Sequence, residues 1–131
     1  MHGDHAGRYP ARVDAIGVSC YSSTDLLYWK YNGLALAADT GNPHADLHPS
    51  RVVERPKVIF NEMQQEYVMW MHIDVMDYKA ARTGVAVSKT PEGPFRYLGS
   101  VRPDGQESRD MTVFKDPINS GVAWLIAGWR G

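Results

Sequence analysis

A segment near the middle of the chain recurs fifty-four residues later, and this repeat limits the folds that the sequence can adopt. In each copy an arginine is followed by a phenylalanine five residues on and by a tryptophan fifteen residues on. The two sets are Arg55, Phe60 and Trp70, and Arg109, Phe114 and Trp124. Each copy reads as two short strands that flank a turn.

A second repeat covers the other half of each unit. Gly17–Ser22 leads through a loop to Trp29 and Gly33, and Gly84–Ser88 leads to Phe95 and Gly99. The aromatic residue and the glycine have the same spacing in both copies. Interleaved repeats of short alternating strands are typical of blade-like sheets arranged around an axis. The sequence therefore predicts an all-β fold and a piece of a β-propeller.

The predicted strands do not add up to a closed propeller. Residues 15–37 hold the last two strands of one blade, residues 53–101 a full blade, and residues 109–127 the first two strands of a third. A propeller closes with about four or more blades. We therefore expect a fragment of about two blades, with both ends inside the repeating pattern.

Composition excludes several classes of partner. The chain has 14 basic and 15 acidic side chains, and its lysines and arginines form no run that would follow phosphates. No apolar stretch reaches the ~20 residues needed to span a bilayer, and residues 1–20 lack the apolar segment of a signal peptide. Nucleic acid and membrane partners are not expected. A single cysteine, Cys20, excludes an internal disulfide and is interpreted as a small buried apolar residue.

Two other segments have a functional and a structural interpretation. His44, Asp46 and His48 resemble a metal-ligand cluster, but they lie in the polar segment 37–50 and are flanked by Pro43 and Pro49, which favours a solvated loop. The apolar run Tyr67–Met71 favours a strand buried on both faces over a cofactor-binding stripe. We predict turns at Ser23–Asp25 and Pro91–Pro94, and an irregular segment over residues 1–12. We also predict a return strand over Leu26–Tyr31 and Leu34–Leu36, and a hairpin of Val52–Phe60 and Glu66–Ile73.

Several motifs together resemble glycoside hydrolase family 43, in particular its branch of exo-acting β-1,3-galactosidases from bacteria, fungi and plants. The resemblance extends from about Arg12 to Leu125, and the loop Asp46–His48 is most similar to plant or algal members. The matching motifs are Gly17–Leu26 with Trp29, Val53–Asn61, Tyr67–Asp74, Gly93–Phe95 and Ser108–Met111.

The resemblance implies a five-bladed β-propeller with a sugar site in the funnel at its axis. It also implies that the whole protein hydrolyses terminal β-1,3-linked galactose from galactan or arabinogalactan side chains, with inversion. Inverting hydrolysis needs an acid that protonates the leaving oxygen and a base that activates water, with carboxyl groups about 6.5–9.5 Å apart. A further carboxylate raises the pKa of the acid by like-charge repulsion.

Three residues match functional positions of the family. By resemblance, Asp110 is the aspartate that tunes the pKa of the acid and orients it, Glu54 bonds the sugar in the cleavage subsite, and Tyr78 is an aromatic wall or hydroxyl contact there. Taken alone, Glu54 could instead form a salt bridge with Arg55 or Arg109, Asp110 could cap a turn, and Tyr78 could serve packing. The two arginines could also hold a neighbouring carboxylate ionised.

Other parts of the family's catalytic machinery are not found. The general-acid glutamate is expected downstream of Gly131, and residues 127–131 depart from the family pattern. The resemblance implies that the usual base comes from the first blade and that a late-blade glutamine replaces it in this branch, and both are expected elsewhere in the protein. We therefore predict that this chain alone is inactive.

Two alternatives to a hydrolase segment remain open. The first is a carbohydrate-binding or pseudoenzyme propeller fragment that keeps Glu54, Tyr78 and Asp110 as sugar contacts. The second is a non-functional segment with open sheet edges that pair with other chains. We predict no cofactor and no metal for this chain, and an axial calcium ion in the whole protein is left open. The sequence assigns no compartment, although the resemblance implies the secretory route for the whole protein.

Overall fold

The computed structural model describes residues 15–130, and these residues form β-strands joined by turns. The strands are β1 (Gly17–Ser22), β2 (Lys30–Ala37), β3 (Val52–Asn61), β4 (Glu66–Asp74), β5 (Arg82–Ser88), β6 (Arg96–Val101), β7 (Met111–Lys115) and β8 (Ala123–Ala127). The helical element within residues 15–130 is a single 3-10 turn, Pro103–Gly105. No helix in this range is long and apolar enough to cross a membrane. The all-β prediction is confirmed, and the irregular segment predicted for residues 1–12 lies outside the described residues.

The strands form three antiparallel sheets. Strands β1 and β2 make the first, β3 to β6 make the second in sequence order, and β7 and β8 make the third. The hairpin predicted over residues 52–73 is present as β3 and β4, with Asn61 paired to Glu66 across its turn. Within each sheet, strands that are consecutive in sequence pair with each other, so each sheet needs only short connections.

The prediction of a strand from Leu26 to Tyr31 is wrong in its first part. Asp25 Oδ1 accepts hydrogen bonds from the backbone N–H groups of Leu27 and Tyr28, both at 2.9 Å. Ser23 Oγ accepts from the N–H of Leu26 at 2.8 Å. These side chains satisfy the backbone locally, so the predicted turn extends further and β2 begins only at Lys30.

The core joins the first sheet to one face of the second. Alternate residues of β4, Met69, Met71 and Ile73, are at most 2% exposed and pack in a cluster with Leu36 and Phe95. Cys20 is half-buried against the same cluster. On the opposite face of β4, Val68 and Trp70 are only half-buried. Of the segment Tyr67–Met71, predicted to be buried on both faces, only Met69 and Met71 on one face are fully buried.

The segment between β2 and β3 is tied to the sheet more firmly than a solvated loop would be. Asp46 Oδ2 accepts hydrogen bonds from the hydroxyls of Tyr97 and Ser100, both at 2.7 Å. Leu47 is buried against the core. Burial, followed by the hydrogen bond to Asp46, raises the pKa of Tyr97. The expectation of a solvated loop is wrong at Asp46, because this carboxylate anchors the loop to β6.

Candidate functional site

A β-bulge in β3 positions the first candidate residue. Glu54 pairs with His72 and Lys57 with Trp70, so Arg55 and Pro56 together lie opposite one residue of β4. Pro56 has no N–H group to donate to the ladder. Arg55 has a φ of 56°, in the left-handed region that a side chain adopts only under constraint. The bulge leaves Glu54 as a cross-strand neighbour of His72 and turns Arg55 away from the sheet.

His72 and Asp74 form a buried pair at the end of β4. They are two residues apart and therefore point to the same face of the sheet. Both are 1% exposed, and His72 Nε2 lies 2.7 Å from Asp74 Oδ2. The other carboxylate oxygen of Asp74 accepts backbone N–H groups from Val75, Ala80 and Ala81, at 2.9, 2.9 and 3.1 Å.

The environment of Asp74 keeps its carboxyl ionised. Burial raises the pKa of Asp74, but the hydrogen bonds from Ala81, His72, Val75 and Ala80 together outweigh burial and lower the pKa below its usual value. Because this carboxylate can only accept hydrogen bonds, the hydrogen of the pair lies on His72 Nε2.

Tyr78 lies in the loop that follows β4, and its side chain contacts both Glu54 and His72. Its hydroxyl donates a hydrogen bond to Glu54 Oε1 at 2.7 Å, and its ring centroid lies 5.8 Å from that of His72. The hydrogen bond to Glu54, followed by burial, raises the pKa of Tyr78 to about 12. The backbone of Tyr78 is left-handed, with a φ of 59°. Tyr78 is therefore held as a hydrogen-bond donor, in a strained conformation that its surroundings must stabilise.

Arg109 supplies that stabilisation. Its Nε and Nη2 donate hydrogen bonds to the carbonyl oxygen of Tyr78 at 3.1 and 2.8 Å. Its Nη1 pairs with Glu107 at 2.7 Å, and this contact lowers the pKa of Glu107. Next to Arg109, the hydroxyl groups of Ser108 and Thr83 are hydrogen-bonded to each other. Arg109 therefore holds the Tyr78 loop in place, and within the described residues its guanidinium forms no ion pair with Glu54 or Asp110.

Asp110 lies directly before β7, and its side chain extends toward the cluster. Arg55 Nε lies 3.2 Å from Asp110 Oδ1, and both side chains are more than half exposed. Single ligand atoms of Glu54, His72 and Asp110 lie within 4.8 Å of one another. The structure thus brings together all three residues predicted from the sequence. Glu54 has Tyr78 and His72 as neighbours in place of the arginines considered for it.

The same cluster does not fit the calcium ion considered for the whole protein. Calcium takes about six to eight oxygen ligands. This cluster offers two carboxylates and one ring nitrogen, and Arg55 and Tyr78 already contact those carboxylates. His44, Asp46 and His48 do not gather within the described residues, since His48 Nδ1 is hydrogen-bonded to Ser50 Oγ and Asp46 contacts β6.

The sequence analysis assigned no role to His72 or Asp74. Both belong to a motif that carries the family resemblance, and their spacing of two within a predicted strand placed them on one face. That spacing was the available signal. It did not show that Glu54 would lie directly opposite His72, because the bulge at Arg55 and Pro56 sets the register.

An open groove continues from Asp110 between β3 and the third sheet. Its walls include Arg55, Lys57, Thr112 and Ile126. Two basic side chains line the β3 side, whereas the other side carries the carboxylate of Asp110, the hydroxyl of Thr112 and the apolar side chain of Ile126. Such a groove suits a ligand with both polar edges and apolar faces, as sugars have.

Solved structures resemble the chain over most of its described length, whereas no protein-family model and no curated protein matches the sequence. An exo-β-1,3-galactanase from Phanerochaete chrysosporium, solved with galactose, is 45% identical with a TM-score of 0.82. An exo-β-1,3-galactanase from Clostridium thermocellum is 41% identical with a TM-score of 0.75. A family 43 β-1,3-galactosidase is 39% identical with a TM-score of 0.79.

The three comparisons cover similar shares of the chains. They include 88%, 86% and 88% of this chain, and 26% of each solved chain. The chain thus spans about a quarter of the length of the relatives that it matches. At these identities over nearly the whole described segment, the resemblance extends to sequence as well as fold. The chain belongs to glycoside hydrolase family 43.

Proposed function

We propose that the protein that carries this chain hydrolyses terminal β-1,3-linked galactose from galactan or arabinogalactan side chains, with inversion. The observation that carries the proposal is the convergence of Glu54, Tyr78 and Asp110, from three separate segments, beside an open groove. Support comes from the relatives, which are named as exo-β-1,3-galactanases and β-1,3-galactosidases.

Glu54 is the sugar-binding carboxylate in this proposal. Its side chain is 42% exposed, so part of it remains open to a ligand. One oxygen is fixed by the Tyr78 hydroxyl, which leaves lone pairs available for the hydroxyl groups of galactose. The half-buried ring of Tyr78 offers an apolar surface to the sugar face beside it.

Asp110 acts on the general acid through its charge. Its carboxylate and that of Glu54 approach within 4.8 Å, closer than the about 6.5–9.5 Å between the acid and base of an inverting pair. These two residues are therefore not that pair. Asp110 instead raises the pKa of an acid supplied by another part of the protein, and this chain by itself releases no galactose.

The proposal includes the architecture of the whole protein. The segments 15–37, 53–101 and 109–127 are successive parts of a five-bladed propeller, and the cluster lies at the axial ends of their first strands. Glu54 lies near the start of β3 and Asp110 directly precedes β7, so two successive copies of the repeat contribute one carboxylate each, from either side of the repeated arginine. This placement supports a sugar site formed jointly by neighbouring blades.

Asp110→Asn in the native protein tests the proposed role. We expect the rate of galactose release from β-1,3-galactobiose to fall by about 100-fold or more, since general acid catalysis supplies about 10²–10⁴-fold. Asp104→Asn is the matched control, because Asp104 is exposed in the turn after β6 and asparagine tolerates its φ of 51°. An Asp110→Asn protein with full activity would refute the assignment.

Carbohydrate binding without hydrolysis is the second candidate, favoured by the short distance between the two carboxylates. It predicts that the isolated chain retains galactose in equilibrium dialysis while the native protein releases none from galactobiose. Release of galactose by the native protein, lost in Asp110→Asn, would exclude this alternative.

A further inference from the structure

One ring nitrogen of the cluster has no hydrogen-bond partner within residues 15–130. This atom is His72 Nδ1, which is buried, whereas the opposite nitrogen of the same ring is bound to Asp74. The nearest carboxylate atom is Glu54 Oε2, at 3.6 Å. Buried polar atoms are rarely left unpaired, because the desolvation penalty is then not compensated.

The contacts of Asp74 fix the orientation of the His72 ring. Three backbone N–H groups hold Asp74, and Asp74 in turn holds the hydrogen of His72 on Nε2. A neutral ring would then present a lone pair at Nδ1 to the carboxylate of Glu54, which is repulsive. A hydrogen on Nδ1 would make the same contact attractive.

We propose that His72 is a positioning residue that acts through Glu54, with a hydrogen on Nδ1 directed at Glu54 Oε2. His72 and Tyr78 then hold one oxygen of Glu54 each, and the remaining lone pairs of Glu54 point at a galactose hydroxyl. The charged and titratable groups that face the ring are Glu54 from β3, Asp74 from its own strand, Tyr78 from the following loop and Asp110 from before β7. This inference rests on the proposed sugar-binding role of Glu54.

Two substitutions of His72 test the contacts of the two ring nitrogens one at a time. In His72→Asn the amide N–H lies near the position of Nδ1 and keeps a donor toward Glu54, whereas contact with Asp74 is lost. In His72→Gln the longer side chain reaches Asp74, whereas the donor toward Glu54 is lost. His48→Gln is the matched control, because His48 is hydrogen-bonded to Ser50 in the loop before β3.

The variant that loses more affinity for galactose should be the one that keeps more of its stability toward urea. We expect His72→Gln to unfold near the native urea midpoint and to bind galactose at least tenfold more weakly. We expect His72→Asn to be the less stable variant and to keep the larger share of the affinity. If affinity simply follows stability in both variants, His72 is structural and the proposal is overturned.

A spectroscopic measurement keeps the inference separate from the proposed function. In the chain labelled with ¹⁵N at histidine, we expect the Nδ1 signal of His72 to be that of a protonated nitrogen, and to shift in Glu54→Gln. That result supports the contact even if the native protein releases no galactose, an outcome that would reject the proposed function alone. An unprotonated Nδ1 signal that is indifferent to Glu54→Gln would overturn the inference. A galactose affinity abolished by EDTA and restored by Zn²⁺ would also overturn it, since Nδ1 would then be a metal ligand.

Discussion

At the scale of single residues, the candidate site depends on side chains whose partners come from distant parts of the sequence. Tyr78 lies 24 residues from Glu54, and Arg55 lies 55 residues from Asp110. Each contact joins a carboxylate to a donor. The site thus holds its acidic groups by direct hydrogen bonds, which are about twice as strong as those between neutral groups.

The raised pKa of Tyr78 gives a prediction at this scale. The hydrogen bond to Glu54 and burial raise the pKa from 10.0 to about 12, so the folded protein keeps this proton between those pH values and the unfolded chain loses it. The contribution of Tyr78 to stability is therefore fully present below pH 10 and disappears as the pH rises through about 12. We expect the urea stability of the native chain to exceed that of Tyr78→Phe at pH 9, with the difference shrinking toward pH 12.

Ultraviolet titration of tyrosinate provides the direct check. The difference between the native chain and Tyr78→Phe should show one tyrosine that ionises near pH 12. The same difference taken in a Glu54→Gln background should move toward lower pH, because the largest cause of the shift is removed. Ionisation of Tyr78 near pH 10 in both backgrounds would contradict the hydrogen bond described above.

The sequence identified the residues of the site better than their contacts. Glu54 and Asp110 were predicted because each falls in a recognisable motif, and Tyr78 was predicted by its match to a functional position of the family. The Arg55–Asp110 pair was not predicted as such, since it depends on a left-handed residue at the bulge. His72 received no role, because only the register of β3 against β4 shows that it lies opposite Glu54.

At the scale of strands, periodicity located the second sheet well, whereas side-chain hydrogen bonds displaced the start of β2. The apolar residues of segments 52–60 and 66–73 form a signal that is spread over many positions. The region 23–28 is governed instead by Ser23 and Asp25, which bond the backbone over two or three residues. A prediction based on aromatic residues does not detect such side-chain hydrogen bonds, which compete with strand pairing for the backbone.

Close packing between β4 and β5 gives a second prediction. A Cβ atom on Gly84 would lie 2.6 Å from Cγ1 of Ile73 and 3.0 Å from the hydroxyl oxygen of Tyr97. Ile73 is buried in the core and has little room to move. We expect Gly84→Ala to lower the free energy of unfolding by about 1–3 kcal/mol, as overpacked cores do.

Urea denaturation of Gly84→Ala and Gly41→Ala measures this effect. A Cβ atom on Gly41 would meet only Asp39 Oδ1, at the ordinary contact distance of 3.5 Å, so this variant is the matched control. Equal stability of the two variants would show that β4 and β5 can separate at no cost. That result would place the core elsewhere than between the first two sheets.

At the scale of the whole molecule, the three sheets leave apolar surface uncovered. Trp29 in the first sheet's turn and Trp124 in β8 are each more than half exposed. The chain also corresponds to 26% of the solved relatives. Both observations favour a larger native protein, in which further strands cover these side chains.

The mass of the native protein tests this expectation. An antibody raised against residues 53–101 should detect a product several-fold heavier than 14.7 kDa in the source. A mass several-fold higher would support the hydrolase and allow Asp110→Asn to be assayed in the complete protein. A product near 14.7 kDa would instead favour the binding alternative.

The bulge in β3 has a consequence for how this sheet can tolerate changes in length. Between the pairs Glu54–His72 and Lys57–Trp70, β3 contains two residues where β4 contains one. A deletion of Arg55 would restore regular alternation and leave both flanking pairs on their present faces. The ion pair with Asp110 would disappear while the sheet and its core kept their register. The site therefore depends on a residue that the sheet does not need, and insertions or deletions at this position can alter the site without disturbing the fold.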